Sequence, residues 1–435
     1  MPFLQHLLAQ LSPKKAFHRQ GHGVLLSYLL RWVFISLLVG GVSGSASALF
    51  LVLLEFVTQY RETHAWVLYL LPVAGFLIGA AYQYGGKGSE GGNNLLLQTI
   101  QKPSLARIPF VMAPLVMLAT VLTHLVGGSA GREGTAVQMG GSLADQLTPW
   151  LKLRPRDRQV LLICGVSGGF ASVFGTPLAG AVFGLEVFLI GQLRYHALLP
   201  SFLTACFAHW VTLSWGVGHT VYPEVVPPAF TVLSLGATLL AGICFGVVAR
   251  GFAGASHAVA AIFKTTIAYR PLRPAIGGVL LLLVLWALGT TNYVGLGIPT
   301  IVASFETPLP GYDFALKLFL TALTLGCGFK GGEVTPLFFI GATLGNALFP
   351  WLPLPLEMLA ALGFVAVFAG AANTPLACTF MAVELFGSGC GMYAGLACVV
   401  AYLFSGHKGI YGGQVVGSSK HLLWGRDTGK ALEEL

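Results

Sequence analysis

Apolar residues run along this chain in long blocks, separated by short polar or glycine-rich stretches. The blocks fall near residues 24–57, 66–84, 108–127, 159–192, 196–217, 230–262, 275–292, 314–326, 334–350, 356–386 and 390–405. A helix that crosses a bilayer in one piece needs about 20 apolar residues. Several blocks are shorter, and the longest are interrupted by Gly or Pro. The pattern predicts helices that start or stop inside the membrane, which lipid tolerates only where protein buries the break or a cavity receives it. It reads as an all-α polytopic membrane protein of transporter or channel type.

The pattern also repeats. GVSGGFASVFGTPLAGAVFGLEVF at 165–188 aligns with GFVAVFAGAANTPLACTFMAVELF at 363–386, with nine of 24 positions identical at an offset of 198. Both copies hold Thr-Pro-Leu-Ala, and both place a glutamate nine residues after the proline (Glu186, Glu384). Upstream, GREGT at 131–135 faces GGEVT at 331–335, and GGNNLL at 91–96 faces GLGIPT at 295–300. Conserved order and spacing predict two repeats, 24–220 and 221–415, whose broken helices meet near the membrane midplane.

Composition excludes the soluble alternatives. Hydrophobic residues make up 55% and charged residues 9%, against roughly 25% charged in an ordinary globular chain. The formal charge of +8 comes from 24 Lys+Arg against 16 Asp+Glu, and in a membrane protein such an excess marks cytoplasmic loops. Outside Lys152–Arg158 the basic residues are scattered, so no nucleic-acid groove is expected. The seven cysteines form no CxxC pair and read as buried thiols, with no metal or cofactor implied. Residues 1–23 read as an interfacial amphipathic helix, with Lys14, Lys15 and Arg19 on lipid head groups. Residues 416–435, with Lys420 and Arg426, read as a cytoplasmic tail, so both ends are expected inside the cell membrane.

Glycine-rich breaks at 85–94, 127–135 and 326–335 are where chemistry is expected. A helix starting at such a break aims unpaired N–H groups and a positive dipole end into the membrane, and several converging ends make an anion site. Close helix packing is the alternative use of those glycines. Glu133 and Glu333 occupy equivalent positions in two of the breaks, and an ionisable group at membrane depth is a functional candidate by default. A carboxylate there can hold the anion's own place and leave when protonated. Glu186 and Glu384 suit a hydrogen-bonded structural role at least as well. GVSG occurs at 41–44 and 165–168; an intramembrane serine protease would need a histidine paired with the serine, and small residues at helix contacts account for both copies better. No enzyme is expected.

These residues resemble the CLC family of chloride channels and proton-coupled anion antiporters. GSAGREG at 128–134 is similar to the family's gating-glutamate motif, LLICGVSGGFASVFGTPLAGAVFGLE to its central helices, and GGEVTP at 331–336 to its second helix-start motif. HKGIYGG puts Tyr411 where the family's anion-coordinating tyrosine falls. Gly-Gly-Asn-Asn-Leu in place of the chloride-type Gly-Ser-Gly-Ile-Pro, Thr135 in place of a proline, and Glu333 in place of an apolar residue resemble the fluoride-exporting branch. The resemblance implies two inverted-topology repeats of tilted, broken helices, and a homodimer with one pore per subunit that exports fluoride against protons. It implies Glu133 as the gate with Glu333 as its proton-coupling partner, Asn93 as the selectivity residue, and an anion path past Asn94, Gly131, Arg132, Gly134, Thr135, Val334, Thr335 and Tyr411. Val187 stands where many chloride–proton antiporters keep an internal glutamate, so the proton needs another route. An asparagine amide offers fluoride two N–H donors where serine offers one O–H. Chloride–proton exchange and passive anion conduction on the same fold remain the alternatives.

Overall fold

The computed structural model describes residues 22–421, 425 and 427–435. Lys14, Lys15, Arg19 and Arg426 lie outside them, as does nearly all of the expected interfacial helix. The first half of the chain runs through α1 (His22–Thr63), α2 (Leu71–Gly85), α3 (Gly92–Gln101), α4 (Met112–Leu125), α5 (Glu133–Trp150), α6 (Pro155–Phe174), α7 (Pro177–Glu186) and α8 (Leu198–Ser214). The second half runs through α9 (Val232–Thr266), α10 (Leu272–Leu288), α11 (Ile298–Ala303), α12 (Asp313–Gly326), α13 (Val334–Leu348), α14 (Leu356–Ala372), α15 (Pro375–Phe386) and α16 (Gly391–Phe404). Among the described residues, four helical stretches are long and apolar enough to cross a membrane: His22–Thr63, Ala65–Gly85, Tyr195–Ser214 and Val232–Thr266. Many of the others end within the apolar interior, as the interrupted blocks predict.

Sequence explains where the helices break. Thr176-Pro177 and Thr374-Pro375 open α7 and α15, because proline supplies the helical φ without needing an acceptor for an N–H. Gly175 and Asn373 end α6 and α14 in the left-handed region, at φ 82° and 60°. Within the pairs α5–α6 and α13–α14, glycines set the approach. A Cβ on Gly140 would run into the Gly165 carbonyl, and one on Gly341 into that of Gly363. The two GVSG copies serve the same end: Gly44 and Gly168 meet α8, and Ser43 lies against Gly168.

The core sits where the halves meet. Phe338 stacks on Phe364 at 4.1 Å, Phe170 on Phe183 at 4.4 Å, and Phe174 reaches Phe338 across the halves at 4.9 Å. Behind this, the two proline-headed helices exchange caps. Glu186 at the end of α7 accepts from Leu376 N (3.1 Å) and Ala377 N (2.9 Å) at the start of α15. Glu384 in α15 accepts from Leu178 N and Ala179 N at the start of α7, both at 2.8 Å. The repeated glutamate therefore has the hydrogen-bonded structural role, one repeat closing the helix end of the other.

Polar contacts sort the loops into two ends. Arg31–Asp157 at 2.8 Å joins α1 to the first turn of α6, Arg158 donates to Pro103 O and Leu105 O, and Arg270–Glu90 at 2.6 Å joins the α9–α10 loop to the α2–α3 loop. The tail returns to this end. Strand β1 (Leu189–Ile190) pairs in parallel with β2 (Val415–Val416), so the expected boundary at 415/416 falls inside a strand. Leu432 N donates to Gln414 O and Glu433 N to Gly412 O, which anchors the chain end on the loop that carries Tyr411.

Removing one exchanged cap leaves two buried N–H groups unpaired, each costing about 1–3 kcal/mol. Glu186→Ala is expected to lower the thermal midpoint in detergent clearly, and Glu186→Gln less, since the amide keeps one carbonyl acceptor. Equal midpoints for Glu186→Ala and wild type would refute the cap.

Candidate functional site

The glycine breaks of the two halves lie against each other as a two-residue antiparallel bridge. Gly131 N donates to Gly332 O at 2.6 Å, and Gly332 N donates to Gly131 O at 2.8 Å. This contact fixes the starts of α5 and α13 side by side. Glu133, the first residue of α5, is fully buried. Its carboxylate reaches the N-terminus of α13 in the other half, where it accepts from Thr335 N at 3.1 Å and from Thr335 Oγ1 at 2.7 Å. Arg132 N adds a bond at 3.2 Å, and the Arg132 guanidinium stands 3.7 Å away. The carboxylate thus occupies the position that an anion would take at that helix end.

On one side of this point lies a cavity of about 180 Å³ that brings Asn93, Asn94, Glu333 and Tyr411 together. Asn93 stands in the first turn of α3 and Glu333 at the N-cap of α13. The tightest point between them is Gly134: a Cβ there would lie 3.1 Å from Gly332 Cα, 3.2 Å from Asn93 Nδ2 and 3.5 Å from Glu333 Oε2. On the other end, Arg132 lines a wider cavity of about 590 Å³ with Arg61, Glu55 and Glu62. Glu133 lines neither cavity and separates the two.

Several expected anion contacts are committed elsewhere. The Gly131 N–H is spent on Gly332, so it is not an anion donor in this conformation. The Thr135 hydroxyl pairs with Thr120 Oγ1 at 2.8 Å on α4, because its side chain leaves the helix on the face away from the path. Asn94 Oδ1 accepts from Gly413 N at 3.0 Å and holds the Tyr411 loop. Both donors of Thr335 are taken by Glu133. Val334, buried in the first turn of α13, contributes its backbone.

Other residues were not expected from sequence. Gln138, Tyr82, Glu90 and Lys330 also line the small cavity, with the Lys330 ammonium 4.3 Å above the Tyr82 ring. Gln138 sits five residues after Glu133 on α5, a spacing that sequence alone does not distinguish from a packing position. His124 is fully buried behind the break, with Nε2 3.4 Å from Gly131 O and its own carbonyl bound by Arg61 Nη1 at 2.8 Å. Lys317, also fully buried, donates to Tyr293 O and Gly295 O at 3.0 and 2.7 Å.

Comparison with known proteins follows the same geometry. A family model described as voltage gated chloride channel matches residues 74–406. The chain belongs to that family. A curated "Chloride/fluoride channel protein" of Pseudomonas syringae pv. tomato is 54% identical over 413 residues, covering 93% of this chain and 91% of the relative. A crystal structure of a CLC-type fluoride/proton antiporter superposes with a TM-score of 0.86 at 38% identity, over 89% of this chain and 98% of that one. A cyanobacterial Cl⁻/H⁺ antiporter, at 20% identity and a TM-score of 0.75 over 88% of this chain and 96% of that one, shares the fold. As a CLC-type protein, the chain is a multi-pass membrane protein built of two inverted repeats.

The close approach at Gly134 gives a direct test of the family-type path in this chain. Gly134→Ala adds a methyl between Asn93, Glu333 and Gly332, where the contacts to Gly332 Cα and Asn93 Nδ2 are tighter than ordinary packing. Anion flux in proteoliposomes is expected to fall at least several-fold with the fold retained. Flux at the wild-type level would mean that the path does not pass this point.

Proposed function

We propose that this protein exports fluoride from the cytoplasm in exchange for protons. The observation that carries the reading is the Glu133 carboxylate lodged on the N-terminus of α13, next to a cavity holding an asparagine amide and a second carboxylate. Ionised, Glu133 fills the anion's place; protonated, it loses most of its attraction to that positive helix end and gives way. One side chain thus answers to both ions. The relative named for chloride and fluoride and the structure described as a fluoride/proton antiporter support the choice of ion. In this reading Asn93 and Tyr411 face the anion, Thr335 and the backbone of Val334 form its seat, Arg132 guards the outer cavity, and Glu333 takes the proton that Val187 cannot.

The charge distribution supports an orientation in the cell membrane. Lys152, Arg154 and Arg156 cluster at the start of α6, which Asp157 ties to Arg31 in the first half of α1, whereas the last turns of α1 carry Glu55 and Glu62. By the positive-inside rule this favours a cytoplasmic position for the basic end and the start of α1. The site residues Glu133, Asn93, Glu333 and Tyr411 all come from one chain, so a homodimer would hold two independent pores. The two-repeat division at 220/221 is supported by the exchanged glutamate caps.

Two outcomes test the reading. Glu133→Gln removes the titrating group and keeps its size, so fluoride-driven proton uptake into liposomes should fall to the level of protein-free controls. Undiminished uptake would remove Glu133 from the coupling and favour passive conduction. Asn93→Ser replaces an amide with a hydroxyl that has one donor, so the preference for fluoride over chloride should drop about tenfold, the worth of one hydrogen bond to a charged partner. An unchanged ratio in paired efflux assays would move selectivity to Thr335, Tyr411 or the backbone.

A further inference from the structure

Two oxygen atoms at the small cavity are buried without a hydrogen-bond donor: Asn93 Oδ1 and Glu333 Oε2. Buried acceptors are normally satisfied, and a pair left open in one place calls for a reason. The two side chains border one point: Asn93 Nδ2 and Glu333 Oε2 lie 3.2 and 3.5 Å from where a Cβ on Gly134 would stand. With Glu333 ionised, its oxygens are acceptors only, so the one group Asn93 can offer them is its NH2. That would commit at least one amide N–H to the carboxylate and take it from the anion. With Glu333 protonated, its O–H is a donor, and the matching acceptor is the Asn93 carbonyl oxygen.

We propose that the protonated carboxyl of Glu333 donates to Asn93 Oδ1 and so locks the Asn93 NH2 toward the anion beside Gly134. The proposal rests on the fluoride–proton reading above and specifies how the proton admits the anion. No covalent bond changes; one proton on Glu333 selects which end of the Asn93 amide faces the path. Loss of that proton frees the amide to rotate toward the carboxylate, and the anion loses an amide donor and meets a negative charge at the same moment. Binding of fluoride and of the proton on Glu333 therefore favour each other, as linkage requires of any such coupling. The other titratable groups facing Glu333 are Lys330 on its own loop, Glu90, Tyr82 and Tyr411 around the cavity, and Glu133 across the break.

Fluoride binding to the full-length protein in detergent, measured by isothermal titration calorimetry from acid to alkaline pH and corrected for HF, tests this in the Glu133→Gln background. That background removes the gate's own titration. Fluoride should bind about tenfold more tightly at the acid end, the worth of one hydrogen bond. Adding Glu333→Gln supplies a permanent N–H donor to Asn93 Oδ1, so binding should stay tight at every pH. Adding Asn93→Ser instead should weaken binding and shrink the pH dependence to the part due to charge alone. A pH dependence that keeps its full size with Asn93→Ser, or that survives Glu333→Gln, overturns the proposal. Thermal melts check each variant, and if Glu333→Gln does not fold, the Asn93→Ser arm decides by itself. Wild-type protein that neither binds nor moves fluoride at any pH overturns the transport reading itself, and this proposal with it.

Discussion

Helices that begin inside an apolar interior expose N–H groups where no water can reach them, and each such end demands an acceptor from the protein. Four helices here, α5, α7, α13 and α15, begin in that way. For α7 and α15 the demand is met reciprocally, by Glu384 and Glu186, and both oxygens of each carboxylate are engaged by a helix N–H. For α5 and α13 the symmetry fails. Glu133 crosses to Thr335, but Glu333 Oε2 finds no donor on the other side. The site is the place where the two halves stop matching: one glutamate sits in the anion's seat, and its counterpart is left to do something else.

How much of this could be read from residues depends on the length scale of the contact. The repeated Thr-Pro-Leu-Ala and the glutamate nine residues on are local, and they gave both the broken helices and the structural glutamates. Glu133 and Glu333 were legible because a carboxylate in a glycine break is costly unless used. The fate of individual donors was not legible. Gly131 loses its N–H to Gly332 through a pairing of breaks 201 positions apart, and Thr135 turns to Thr120 because of where α4 packs. Gln138, Tyr82 and Lys330 carry no local signal, since their place in the cavity comes from three separate elements meeting there.

The tail shows the same limit. Its three Lys/Arg and three Asp/Glu suggest a solvated end, yet Leu432 and Glu433 pair with Gln414 and Gly412, and Gln98 Nε2 bonds Glu433 Oε1 at 3.1 Å. The loop bearing Tyr411 is thereby held from both sides, by Asn94 within the membrane and by the chain's own end outside it. A side chain that must meet an ion at a fixed depth gains from that rigidity, because little ordering is left to be done when the ion arrives.

The exchanged glutamates also constrain how the molecule is made. Glu384 follows Leu178 by 206 residues, so for nearly half of its synthesis the nascent chain carries α7 with an open end. Domains generally fold in order as they emerge, but here the first half has no finished state of its own to reach. It must wait in the insertion machinery or the bilayer, loosely packed, until its twin arrives in the opposite orientation. An insertion or truncation late in the chain would therefore reach back to disorder helices made long before it, and quality control would see the fault in the first half although the error lies in the second.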